Sequence, residues 1–333
     1  MTTIREVARH AGVSSTTVSH VINETRFVSD DVRQRVLAAM QELDYRPNVL
    51  ARSLRRGETC TLGLILPDSA NPFFAEMARA VELSAHDQGY SVVFCNTEDD
   101  PDKEERYVEV LINKQIDGLI FIAAGDHSAS ISPLRNHIPP LVLVDRDLLD
   151  VPFSTVLADN YQGGCLAAQH LLACGYQRMA IIAGPSNLTP SAQRVTGFLE
   201  GLRQAGLNCP PERIIHGDFH PSSGYRAAQD LLSSPHPPDG IFACNDLMAI
   251  GALRAAMESG LTIPDNLGIV GFDDIELAAY ASPPLTTIAQ PKLEMAQQAV
   301  VLLLEQISDS SLPARRLILP TGLIQRQSTR SAL

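Results

Sequence analysis

The chain has 333 residues, 45% apolar and 19% charged, which is the profile of an ordinary globular protein about two domains long. No apolar run approaches the roughly 18 residues of a bilayer span, and the first residues lack the apolar core of a secretory signal; a cytoplasmic protein with no membrane partner is expected. The net charge of −12 argues against nucleic acid until it is divided along the chain: residues 1–60 carry nine arginines against seven acids, net +2, and the remainder is net −14. Attraction to phosphate is therefore confined to the N-terminal segment and should be steeply salt-dependent. The six cysteines form no C-x-x-C pair, and no histidine stands at zinc-ligand spacing, so free thiols, no metal and no cofactor are expected.

Thr3-Ile4-Arg5-Glu6 reads as a capping box opening a first helix, with Val7, Ala8 and Ala11 as its apolar face and Gly12 as its end. Ser14 is a second N-cap, opening a helix whose Val18, Val21 and Ile22 turn inward at i, i+3, i+4. A third helix starts at Ser29-Asp30-Asp31, where acids suit the positive helix end, and continues through Val32, Val36, Met40 and Leu43 towards Pro47. Three short helices with a glycine turn between the first two make a helix-turn-helix unit, whose second helix enters the major groove. Ser15, Thr16 and His20 share its outer face and carry groups able to read base edges; a solvated surface is the bland alternative. Asn48 can cap a helix Val49–Arg56, ended by Gly57 and too short to stand alone, as suits a hinge ordered on DNA. Leu54 is placed to wedge a minor-groove base step, with Arg52, Arg55 and Arg56 near phosphates.

Thr3 through Arg56, with Val13–Asn23 and Tyr45-Arg46-Pro47-Asn48, resembles the headpiece and hinge of the lactose-repressor family, and is most similar to its purine- and ribose-responsive members. That resemblance extends over the whole chain. It implies DNA contacts at Ser15, Thr16, His20, Arg26, Ala51, Leu54 and Arg55, with double-stranded operator DNA as partner and a homodimer as the working form.

From Thr61 onward short apolar strands alternate with helices. Strands are predicted at Leu62–Leu66, Val92–Phe94, Gly118–Ile122, Leu141–Val144, Met179–Ile182, Arg213–Ile215, Gly240–Ala243 and Leu267–Val270. The helices between them include Phe73–Gln88, Lys103–Lys114, Ala192–Ala205, Gly224–Leu232 and Leu247–Ser259. All-apolar strands alternating with helices mean parallel α/β sheets, and two such blocks mean two lobes. The expected fold is thus an all-α helix-turn-helix headpiece (residues 1–46), a hinge and linker (47–60) and a two-lobed, periplasmic-binding-protein-like α/β domain (61–333). Its N-lobe takes about 61–159 plus 291–319, and its C-lobe about 162–288 plus 320–333. No leucine heptad follows Leu323, which argues against a tetramerising coil, and Gln325–Ser331 reads as a frayed polar tail.

Ligands of open α/β sheets sit beyond the carboxyl ends of the strands. Asn71, Phe73, Phe74, Asp145, Arg146, Arg194, Phe219, Asn245 and Asp273 stand there, and Gln290 lies on the last crossing between lobes. Asp, Arg, Asn and Gln suit vicinal hydroxyls, and the rings can stack on the apolar face of a sugar or base. Helix capping for Asn245 and Asp273, a buried helix face for the phenylalanines and a surface ion pair for Arg194 are the structural alternatives. By resemblance the ten residues match, position for position, a ribose site. The purine-responsive relatives carry an arginine and a threonine after Gly-Pro, where this chain has Leu188 and Pro190. D-ribose or a similar pentose is therefore the expected effector, against a nucleobase corepressor or another sugar. Ribose-type relatives imply release from DNA and purine-type relatives the reverse. No nucleotide-binding, nucleophile-elbow or metal signature points to an enzyme.

Overall fold

A computed structural model of the chain describes residues 2–23, 26–45, 59–123, 125, 139–147 and 152–331. They fall into two compact units that divide at Thr59/Cys60.

The first unit holds α1 (Ile4–Ala11), α2 (Ser15–Asn23) and α3 (Asp30–Glu42). Thr3 and Glu6 form the reciprocal capping box on α1, and Gly12 ends it in the left-handed region at φ 64°. Ser14 Oγ accepts from Thr17 N at 3.0 Å and so caps α2. Val7, Ala8, Ala11, Val18, Val21, Val36 and Ala39 close a small core, flanked by Ile4, Val32, Met40 and Leu43.

The second unit contains two six-stranded sheets. The first runs in the order β11 (Arg316–Leu319), β5 (Ser154–Ala158), β4 (Leu141–Val144), β3 (Gly118–Phe121), β1 (Thr61–Leu66), β2 (Ser91–Asn96), and every pairing is parallel. The second runs β12 (Gly322–Ile324), β10 (Thr286–Ala289), β9 (Gly268–Asp273), β8 (Gly240–Ala243), β6 (Met179–Ala183), β7 (Ile214–His216), with only β12 antiparallel. The helices α4 (Pro72–Asp87), α5 (Pro101–Asn113), α6 (Asn160–Ala173), α7 (Thr189–Gln204), α8 (Pro221–Leu232), α9 (Asp246–Glu258), α10 (Glu276–Tyr280) and α11 (Lys292–Ser308) cover them. Strands β1, β3, β4, β6 and β8 are almost wholly buried, which is why their sequences are continuously apolar rather than alternating. The chain passes between the sheets three times: after β5, after β10 and after β11. Two of these passages touch, since Asp159 N donates to Leu319 O at 2.8 Å and Thr321 Oγ1 donates to Asp159 O.

Strand β5 and the elements from α11 to β12 were not individually legible, because β5 is a short run without punctuation and β11 lies half-exposed at an edge. Arg194 lies within α7 rather than at its start. The expectation of a frayed tail is wrong. Ser328 and Thr329 are buried, and Ser328 Oγ donates to Ile269 O at 2.6 Å while accepting from Thr286 N at 2.8 Å. Thr329 Oγ1 meets His170 Nε2 at 2.8 Å and Thr286 Oγ1 at 2.9 Å, and Arg330 lies over the Tyr176 ring. The polar residues that read as solvated are the ones that satisfy buried backbone groups beside β9 and β10.

Candidate functional site

The strands of both sheets end at one cleft, whose space, open solvent included, is about 350 Å³. Asn71, Phe73, Phe74, Asp145, Arg146, Arg194, Phe219, Asn245 and Asp273 all line it, together with Leu188 and Pro190. Gln290 is not on the wall but stands behind it, donating from Nε2 to Asp273 Oδ1 at 2.8 Å.

Each wall residue is held by its element. Asn71 caps α4 by accepting from Phe73 N at 3.0 Å, which sets Phe73 and Phe74 edge to face with centroids 5.1 Å apart. Asp145, immediately after β4, has φ 66°. Phe219 has the same φ, and Asn245 Nδ2 donates to its carbonyl at 2.9 Å while Asn245 Oδ1 caps α9 by accepting from Met248 N. Capping and lining are thus both true of Asn245. The Phe219 ring lies against Gly184, where any Cβ would fall inside contact distance of its Cε1 and Cζ. Asp246 does not reach the cleft; it is buried beneath it, accepting from Thr287 Oγ1 at 2.5 Å and Ile275 N at 2.9 Å.

Two buried arginines balance two buried aspartates. Arg194 donates from Nε to Asn160 Oδ1 at 2.7 Å, from Nη1 to Cys244 O at 2.6 Å, and pairs with Asp273 at 3.4 Å; its guanidinium lies 3.8 Å over the Phe272 ring. A surface ion pair is therefore excluded for it. Arg146 donates to Ala123 O at 2.6 Å and pairs with Asp99 at 3.3 Å. Burial pushes the Asp273 carboxyl up to about 6, with Arg194 and the Gln290 hydrogen bond opposing the rise. Burial likewise raises Asp145, against Arg194 and Arg146. Among the described residues, three buried side-chain atoms have no hydrogen-bond partner; one of them, Asp145 Oδ1, belongs to the cleft wall, and another, Gln290 Oε1, to the residue behind it. An unpaired buried acceptor costs about 1–3 kcal/mol, so a bound molecule that donates a hydroxyl to Asp145 gains where the empty protein loses.

Reasoning from sequence missed Lys292 and Glu76. Lys292 Nζ donates to Asp273 O at 3.0 Å and Asp274 O at 2.6 Å and pairs with Glu76 at 2.7 Å. Its position two residues after Gln290 on the crossing was the available signal.

In the first unit Ser15, Thr16 and Arg26 are exposed and His20 is half-buried, so the four stand at or near the surface of the helix-turn-helix. Ala51, Leu54 and Arg55, and the hinge helix as a whole, lie outside the described residues.

A helix-turn-helix unit and a two-sheet body with a polar cleft at its strand ends define a ligand-responsive DNA-binding regulator. Residues 3–48 match the family model of bacterial regulatory proteins of the lacI family, and residues 168–329 match a periplasmic binding protein-like domain. The chain is 40% identical over 329 residues to the ribose operon repressor of Escherichia coli, covering 98% of this chain and 100% of that protein. It is 39% identical over 337 residues to the HTH-type transcriptional repressor PurR of Haemophilus influenzae, covering 100% of both. A lac repressor dimer bound to operator and the anti-inducer ONPF superposes with a TM-score of 0.89 at 28% identity, covering 99% of each chain. The chain belongs to the LacI family and is a DNA-binding transcriptional repressor under effector control, not an enzyme.

Proposed function

We propose that this repressor is a cytoplasmic homodimer that contacts operator DNA through Ser15, Thr16, His20 and Arg26 and through the hinge residues Ala51, Leu54 and Arg55, with Leu54 as the minor-groove wedge, and that its effector is D-ribose or a close pentose bound in the cleft. The observation that carries the ligand class is the unpartnered acceptor Asp145 Oδ1 at the wall of a cleft whose two arginines are already engaged by two carboxylates and two carbonyls. Such a site asks for a neutral molecule rich in hydroxyl donors, with an apolar face for the Phe73, Phe74 and Phe219 rings. Resemblance to a ribose operon repressor supports the same reading.

A nucleobase corepressor is the second reading, favoured by the nearly equal identity to PurR. Against it, Leu188 and Pro190 put only apolar surface where α7 begins, and offer a base edge no hydrogen bond there. Calorimetric titration of the full chain with ribose, hypoxanthine and guanine decides between them: heat from ribose alone is expected. Heat from a base with none from ribose overturns the pentose. A gel shift on operator DNA with and without the sugar fixes whether the effector releases or tightens binding; release is expected.

A further inference from the structure

Three elements meet at the mouth of the cleft around one carboxylate. Glu76 lies on α4, one helical turn beyond the Phe73 that lines the cleft, and so belongs to the layer that covers the first sheet. Its Oε2 pairs with Lys292 Nζ at 2.7 Å, and its Oε1 accepts from the backbone N–H of Glu276, the first residue of α10, at 2.9 Å. Helix α10 follows the turn after β9 of the second sheet and has no side-chain cap of its own at Ile275. Its first N–H is therefore satisfied from the opposite lobe. Lys292 divides its donors between the two sides: one to Glu76, the others to the carbonyls of Asp273 and Asp274.

Those two carbonyls belong to a backbone that needs holding. Asp273 and Asp274 have φ of 113° and 51°, a pair of consecutive left-handed residues neither of which is glycine. Such conformations persist only where surroundings over-determine them. Arg326 holds the Asp274 carboxylate at 2.7 Å, and the Asp273 side chain faces the cleft. Any shift of Asp273 on taking up a ligand moves a carbonyl that Lys292 is holding, and any shift of Lys292 breaks its pair with Glu76. Lys292 and Glu76 are about one-sixth and one-third exposed, dry enough for the pair to matter and wet enough for it to open.

We infer that Glu76 and Lys292 form a latch between the lobes, tying α4 of the first to the Asp273–Asp274 turn of the second, so that cleft closure and the state of Asp273 are set together. Both are positioning residues, since neither lines the cleft. The inference rests on the cleft being the effector site, as proposed above.

The test uses the full-length protein and the variants Glu76→Ala, Lys292→Met and their combination, with Lys292→Arg as the charge-preserving control. Without any effector, hydrogen exchange at the Glu276 amide should speed up roughly tenfold or more in Glu76→Ala and several-fold in Lys292→Met, and stay near wild type in Lys292→Arg. With ribose added, the ratio of operator affinities with and without sugar should fall roughly three- to tenfold in either single variant, and no further in the double. Unchanged exchange at Glu276 in Lys292→Met, or single-variant effects that multiply in the double, overturns the latch. Wild-type protein that gives no heat with ribose indicts the ligand instead, because the exchange measurement needs no effector.

Discussion

Replacing Asp273 with asparagine should make the effector-free protein more stable and nearly blind to its effector. The Asp273 carboxyl titrates at about 6 in the folded protein against an ordinary 3.8, because burial outweighs the help of Arg194 and Gln290. The folded state therefore holds this proton more tightly than the unfolded chain. Stability from the group is fullest below about pH 4 and is lost as pH rises through about 6. At ~1.4 kcal/mol per pH unit, ionised Asp273 costs the folded protein about 3 kcal/mol at pH 7 and about 1 kcal/mol at pH 4.5. Asparagine imitates the neutral form and keeps an acceptor for Gln290 Nε2, so the variant should recover most of that cost. Urea unfolding followed by far-ultraviolet circular dichroism, at pH 7 and pH 4.5, measures it as a gain that shrinks with acid. Titration of buried His170 weakens both proteins alike as pH falls, since burial lowers its pKa, and drops out of the difference. Effector affinity should fall roughly 10- to 150-fold, the worth of a hydrogen bond to a charged group. A variant less stable than wild type at pH 7, or a gain equal at both pH values, refutes the reasoning.

Gly184→Ala should push the Phe219 ring out of the cleft and weaken effector binding about tenfold or more while the circular dichroism spectrum stays native; calorimetry with undiminished affinity counts against it. Ser328→Ala leaves Thr286 N–H and Ile269 O buried without their partner, so the thermal midpoint should drop by the equivalent of about 2–4 kcal/mol. An unchanged midpoint would restore the view of residues 325–331 as a free tail. Ser15→Ala and Thr16→Ala should each weaken operator binding about 5- to 150-fold at fixed salt, with effector affinity untouched; equal gel-shift affinities would move the base contacts elsewhere.

Why some of this was legible and some was not follows from the kind of signal each residue leaves. Buried parallel strands such as Leu141–Val144 and Gly240–Ala243 announce themselves as unbroken apolar runs, and ligand groups are sought beyond their carboxyl ends; nine residues of the cleft wall were found that way. The capping box at Thr3 and the turn at Gly12 have local signatures, and both are present. Lys292 and Glu76 leave none, since an ion pair between residues 216 positions apart has no spacing to read. The last segment misled for a related reason. Polar residues near a chain end usually mean solvent, but Ser328 and Thr329 serve the first residues of β9 and β10, and only tertiary contacts disclose that demand.

Part of the backbone strain in this molecule is placed where it can be used. Of the nine non-glycine residues with positive φ among the described residues, four, Asp145, Phe219, Asp273 and Asp274, stand at or directly beside the cleft. Such residues cost of order 1–3 kcal/mol each. A buried acceptor without a partner, Asp145 Oδ1, and two carboxylates raised by burial, Asp145 and Asp273, stand at the same wall. At the cleft these costs have a use. They fix wall groups before a ligand arrives, which lowers the ordering cost of binding. They also leave the ligand-free body poised, because what a hydroxyl-rich molecule relieves in the cleft becomes a difference in affinity between lobe arrangements. A ligand without such a difference shifts nothing, however tightly it binds. The Asp273→Asn variant therefore separates the two uses of the site: it should make the body more stable and the repressor less responsive, by the same removed charge.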